Sequence, residues 1–231
     1  MTSLPSVIVF DVNETLSDMT PLQKRFEQVG APAVLARVWF AALLRDGFAL
    51  AATGDSAPFA VIGADGLRRV LHDVDLNTGM DDAVRHILQA FAELNLHPDV
   101  VAGVTALKDA GFRLLTLSNG SASVAEALLT GGGVRERFEA LLTVDDAPAW
   151  KPARSAYAYA ADVCGVDLED MLLVAVHPWD IHGAAQAGLR TAWLNRAGED
   201  YPSYFAAPDF TVSTVEELAG ALAPASGATA P

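Results

Sequence analysis

Two hydrophobic rhythms divide the chain. Residues 7–10, 112–117, 141–144, 171–176 and 191–194 are short runs, continuously or nearly continuously apolar, as expected of strands buried on both faces. Between them lie segments with helical spacing. One spans 100–110 and stops at Gly111, one spans 155–164 and stops at Gly165, and one follows residue 176 and stops at Gly188. Ser123-Val124-Ala125-Glu126 reads as a capping box opening a helix that ends near Gly131-Gly132-Gly133, and Thr214-Val215-Glu216-Glu217 caps a final helix. Strands alternating with helices predict an α/β fold, a parallel sheet covered on both faces.

The stretch between the first strand and residue 97 breaks this alternation. Val34, Val38, Ala41, Ala42 and Arg45 follow helical spacing, and Val84, Ile87, Leu88, Phe91 and Leu94 form a 3–4 apolar stripe. A helical block placed directly after one strand reads as an insertion. The expected organisation is a core of residues 1–16 and 97–222, a helical unit of residues 17–96, and a frayed tail of residues 223–231.

Composition narrows the function classes. The 231 residues are 52% hydrophobic and 19% charged, ample for a core, with 29 acidic against 15 basic side chains and a net charge of −14. Such a surface suits neither nucleic acid nor an anionic membrane, so an anionic small molecule would need a local site. The lone Cys164 excludes an intrachain disulfide and fits a reducing compartment. The start carries no basic segment of an export signal, and the longest apolar runs fall short of the ~20 residues that span a bilayer. A soluble cytoplasmic protein is the expectation.

Polar residues recur just after the predicted strands: Asp11 and Thr15, then Ser118 and Asn119, then Lys151, then Asp180. In an open parallel sheet these strand ends line one crevice. A carboxylate at the tip of a buried strand costs desolvation unless it is paired or faces a cleft, so Asp11 is either a turn cap or a reagent.

FDVNETLSD (10–18), LSNGS (117–121), WKP (150–152) and HPWD (177–180), in that order, resemble the four motif regions of the haloacid dehalogenase (HAD) superfamily. Within it the chain resembles the type II L-2-haloacid dehalogenases over nearly its whole length. The resemblance implies a Rossmann-like core with a helical cap inserted after the first strand. It also implies hydrolysis of short 2-haloalkanoic acids to 2-hydroxy acids through an aspartyl ester. On that reading Asp11 is the nucleophile, Lys151 holds it ionised, Thr15, Ser118 and Asn119 position anion and nucleophile, and Asp180 orients Lys151 and helps place water. Tyr157 falls where the family has a site tyrosine. No cofactor is implied, and a homodimer is plausible.

Departures cluster in the site. Phe40 stands where the family has its halide-binding arginine, with Arg37 and Arg45 on the same helix as candidate substitutes. Ala175 and His177 replace a serine and an asparagine. His177 either positions or activates water, or fills space beside Trp179, whose indole is itself a candidate halide donor. Asn13 stands where superfamily phosphatases carry a second acid, and an amide is no general acid near neutrality. Another HAD hydrolase, including a phosphatase binding magnesium through Asp11 and Asp180, is the alternative reading. A lysine-balanced site requires no metal.

Overall fold

The computed structural model describes residues 4–91 and 93–223. Its centre is a six-stranded parallel sheet in the order β5-β4-β1-β6-β7-β8. The strands are β1 (Val7–Phe10), β4 (Arg113–Ser118), β5 (Ala140–Thr143), β6 (Met171–Ala175), β7 (Arg190–Leu194) and β8 (Phe210–Val212). β1 is wholly buried between β4 and β6, with Val9 beside Leu115 on one side and Leu173 on the other. Alternate side chains leave the sheet in opposite directions. Ile8, Phe10, Leu114 and Val174 meet α5 (Val100–Asp109), α6 (Ala122–Gly131) and α9 (Val215–Leu222) on one face. Val7, Val9, Leu117 and Leu173 meet α7 (Arg154–Cys164) and α8 (Pro178–Ala187) on the other.

The chain runs from β1 outward to β4 and β5, then crosses back to β6 and on to β7 and β8, so the order reverses between β1 and β6. That is where an open α/β sheet opens a crevice at the carboxyl ends of its strands. Between β1 and α5, the helices α1 (Pro21–Gln28), α2 (Leu35–Thr53), α3 (Phe59–Val70) and α4 (Met80–Phe91) share a second apolar cluster around Phe26, Trp39, Leu43 and Ile87. A two-residue antiparallel ribbon, β2 (Ser17–Asp18) against β3 (Asn95–Leu96), brings the entry and exit of this helical segment together.

Several expectations shift. The stripe Val34, Val38, Ala41, Arg45 lies on the outer side of α2: Val34 is 61% and Val38 48% exposed, whereas Trp39, Phe40, Leu43 and Leu44 point inward. Both faces of this segment are apolar, so spacing alone selected the wrong one. The Ser123 capping box is not made. α6 starts two residues earlier, with Ser121 at its N-cap; Ser123 bonds Ser121, and Glu126 pairs with Arg135. The Thr214 cap does form, accepting from the Glu217 N–H at 3.0 Å. β8 has no counterpart among the predicted strands, being three residues long and only partly buried. The expected frayed tail lies outside the described residues apart from Ala223.

The helical segment touches the sheet region through Trp150, which is fully buried, stacks on Phe59 and seats its ring against Gly47 of α2. A Cβ at Gly47 would stand 2.4 Å from that ring. Gly47→Ala is therefore expected to lower stability by about 1–3 kcal/mol through overpacking, read as a lower urea midpoint at unchanged slope. A variant as stable as the parent would show that Trp150 does not bear on α2.

Candidate active site

Four loops at the carboxyl ends of β1, β4, β5 and β6 deliver the polar groups. β1 ends at Asp11, whose N–H donates to the Val174 carbonyl and so holds the residue beside β6 at 3.0 Å. Its carboxylate is 3% exposed and meets three partners. Lys151 Nζ donates to Oδ1 at 2.9 Å, the Thr15 hydroxyl donates to Oδ2 at 2.7 Å, and His177 Nδ1 lies 3.2 Å from Oδ2. Burial alone would raise the Asp11 pKa, but the Lys151 charge, His177 and the Thr15 hydrogen bond hold it well below the ordinary carboxylate range. Asp11 is an ionised, desolvated carboxylate.

Lys151 is fully buried and bridges two acids, with Asp180 Oδ2 at 2.6 Å on its other side. Burial opposes its charge, yet the two carboxylates raise its pKa, so it stays an ammonium. Burial pushes the Asp180 carboxyl up, against the pull of Lys151. Tyr157, also fully buried, donates to Asp180 Oδ1 at 2.6 Å. Its hydroxyl is thus committed to orienting Asp180. Gly183 makes room for it, because a Cβ there would stand 2.7 Å from the phenol oxygen. Asp180 sits within the first turn of α8, and His177 occupies the N-cap position.

Asn119 has a comparable structural duty. Its amide oxygen accepts from the Lys151 N–H at 3.0 Å and its Nδ2 donates to the Lys151 carbonyl at 3.1 Å, fixing the backbone that carries the ammonium. Ser118 Oγ accepts from the Gly120 N–H at 2.9 Å and keeps its own proton to donate. Thr15 links the strand ends, since its hydroxyl also accepts from the Val176 N–H at 3.1 Å. Asn13, 5% exposed, faces Ser118 across Gly120, where a Cβ would lie 3.3 Å from Asn13 Nδ2.

His177 is held at both ring nitrogens. Nδ1 faces Asp11 and Nε2 lies 2.8 Å from Glu14 Oε2. Burial alone would lower its pKa, but the hydrogen bonds and charges of Asp11 and Glu14 raise it from 6.5 to about 9. The resting ring is therefore an imidazolium, rather than the neutral ring of the space-filling reading or one near its pKa at physiological pH. It also packs as expected beside Trp179, stacked at 5.1 Å, with Phe40 at 6.3 Å. Trp179 carries Lys151 Nζ 6.0 Å above its ring and meets Phe48 edge-on.

The two arginines separate cleanly. Arg45 is 70% exposed and paired with Asp46, so its assignment to the site is corrected. Helix geometry gives the reason: relative to Phe40, Arg45 points about 140° around the axis and Arg37 only about 60°. Arg37, together with Phe40, His177 and Glu14, lines a cavity of about 400 Å³ beside the Asp11 cluster. Glu14 was not singled out from the sequence. Its contact spans 163 positions and carries no periodic signal; only its place inside the first motif pointed to it.

Comparison with known proteins follows the same lines. A family model described as hydrolase, haloacid dehalogenase-like hydrolase, matches residues 5–188. Haloacetate dehalogenase H-2 of Moraxella sp. (strain B) is 29% identical over 213 residues, covering 91% of this chain and 95% of its own. (S)-2-haloacid dehalogenase 1 of Pseudomonas sp. (strain CBS-3) is 30% identical over 212 residues, covering 91% of this chain and 93% of its own. A crystal structure of a dehalogenase with intermediate complex superposes with a TM-score of 0.89 at 27% identity, over 97% of this chain and 99% of that one.

The titration of His177 predicts a stability signature. A pKa raised in the folded state contributes stability that is fully present below 6.5 and lost as pH rises through about 9. Stability should fall across that window, and His177→Gln should flatten the fall. Urea midpoints measured from pH 6 upward check this; an equal slope in the variant would mean that His177 is not charged in the fold.

Proposed function

This chain belongs to the haloacid dehalogenase-like hydrolase family, and from that footing we propose that it hydrolyses the carbon–halogen bond of short 2-haloalkanoic acids. The observation that carries the reading is Asp11 held ionised by a fully buried Lys151 that also bridges Asp180. An anion kept desolvated and aimed from a strand end is a nucleophile, and its lowered pKa makes it a poor proton carrier. An Asp11 oxygen attacks the carbon bearing the halogen, the carbon–halogen bond breaks, and halide departs with its electron pair. Water then attacks the carboxyl carbon of the resulting ester, releasing the 2-hydroxy acid and restoring Asp11.

The halide leaves as an anion and needs no proton, which agrees with Asn13 in place of a second acid. A phosphoryl substrate would need that acid for its leaving oxygen. A magnesium ion shared by Asp11 and Asp180 would have to displace the Lys151 ammonium from between them. Residues 17–96 serve in this reading as a cap over the crevice, contributing Phe40 and Arg37. Arg37 has no hydrogen bond or ion pair among the described residues and faces the cavity, so it takes the part of the missing halide-binding cation. The Ser118 hydroxyl and Lys151 receive the substrate carboxylate. The net charge of −14 and the lone buried Cys164 support a small-molecule enzyme of a reducing compartment such as the cytoplasm.

A halide-release screen on haloacetates and 2-halopropionates, run beside a phosphate-release screen with magnesium, tests the reading. Halide release that survives dialysis against a chelator is the expected result; phosphate release alone would replace it with the phosphatase alternative. Arg37→Ala should then slow halide release roughly tenfold to a hundredfold, the cost of losing one charge-assisted contact of about 1.5–3 kcal/mol. Arg45→Ala should leave it unchanged.

A further inference from the structure

We propose that Arg196 is a positioning residue for the nucleophile: by gripping the backbone of Thr15 it fixes the hydroxyl that aims Asp11. This rests on the proposed function and adds to it a residue outside the four motifs, on the loop after β7, that acts through Thr15. The Thr15 hydroxyl is fully committed, donating to Asp11 Oδ2 at 2.7 Å and accepting from the Val176 N–H at 3.1 Å. Its direction therefore depends on where the loop after β1 places the residue.

That loop is held from outside. It passes through Glu14 in the left-handed region, at φ 62°, a conformation that persists only when the surroundings fix it. Three successive carbonyls have partners on other segments. His97 Nε2 lies 3.1 Å from the Glu14 carbonyl, Arg196 Nη2 donates to the Thr15 carbonyl at 3.0 Å, and the His97 N–H donates to the Leu16 carbonyl at 2.9 Å. The bond to Thr15 is charge-assisted and comes from a planar group of fixed geometry.

Arg196 is itself anchored. Its Nη1 pairs with Asp99 Oδ1 at 2.8 Å, and Asp99 Oδ2 accepts from the Val215 N–H at 2.7 Å. Asp99 stands just before α5, where the chain returns from the helical segment, and Val215 opens α9. One guanidinium thus joins the loop after β1 to the return of the helical segment and to α9. The side chains of Arg196 and Asp99 are only 19% and 10% exposed, and the Arg196 Nε is buried with no partner among the described residues. Leaving a donor unpaired costs free energy, which the two outer nitrogens must offset. A lysine could not replace this fork, because its single ammonium cannot serve two diverging partners at once. Without Arg196 the Thr15 carbonyl, in a residue with no exposure, loses that partner and the loop is free to turn. A misdirected nucleophile slows attack while leaving substrate binding intact.

Halide release from 2-chloropropionate by wild type, Arg196→Ala, Arg196→Lys, Thr15→Val and the double variant Arg196→Ala/Thr15→Val tests the assignment. Arg196→Ala should lower kcat roughly tenfold to a hundredfold and leave KM within about twofold of wild type. Arg196→Lys, which keeps a cation beside Asp99 and so protects the fold, should also lose kcat. The double variant should be no slower than Thr15→Val by more than about twofold, because Arg196 acts through Thr15. Amide exchange followed by NMR supplies a readout independent of turnover. The Val176 amide hydrogen, which bonds the Thr15 hydroxyl, should exchange faster in Arg196→Ala and in Thr15→Val, measured against the amides of β4 as reporters of global stability. Wild-type kcat in both Arg196 variants, losses that multiply in the double variant, or unchanged Val176 exchange relative to β4 would each overturn the proposal. Absence of halide release from wild type would instead sink the dehalogenase reading, and Val176 exchange would still decide whether Arg196 governs Thr15.

Discussion

One lysine with no access to solvent holds the site together. Lys151 lies between Asp11 and Asp180, and each acid needs it, since two neighbouring buried carboxylates cannot both stay ionised without a cation. Desolvating three charges is costly, and a well-packed apolar cluster would stabilise the fold at least as well. What the arrangement provides is a carboxylate stripped of water, fixed in direction and charged at neutral pH. Other features serve it. Asn119 pins the lysine backbone, Tyr157 turns Asp180, and Trp150 anchors the loop against α2. Thr15 and His177 fix the other Asp11 oxygen.

The fold was legible because its strands are short apolar runs ended by polar residues, and most of the helices between them stop at glycine. β1 has the predicted bounds, and Gly165 and Gly188 close α7 and α8 in left-handed conformations. The site was legible through Asp11, Thr15, Lys151 and Asp180, since polar residues following buried strands must converge in a parallel sheet. What escaped depends on side-chain direction. Arg45 and Arg37 flank Phe40 in sequence, but five positions along a helix face another way than three positions back. The charge of His177 escaped because it is set by Glu14, a residue whose chemistry appears only when the two loops meet. Asn119 and Tyr157 read as substrate contacts yet are spent on Lys151 and Asp180.

The departures at the site fit together. Near Asp11 the wall is aromatic: Phe40, His177 and Trp179 lie against one another. Positive charge enters from His177 on one side and from Arg37 at the cavity on the other. In a chain with net charge −14, the buried Lys151 and the adjoining His177 supply positive charge only locally.

In the proposed reaction Asp11 forms a covalent bond to substrate carbon. A single turnover with excess enzyme in heavy-oxygen water tests it most directly, followed by mass analysis of the peptide carrying Asp11 and of the hydroxy acid. Heavy oxygen is expected in the Asp11 carboxylate and little in the first product, because water attacks the ester at the enzyme's carbon. Heavy oxygen appearing directly in the first product, with Asp11 unlabelled, would contradict it.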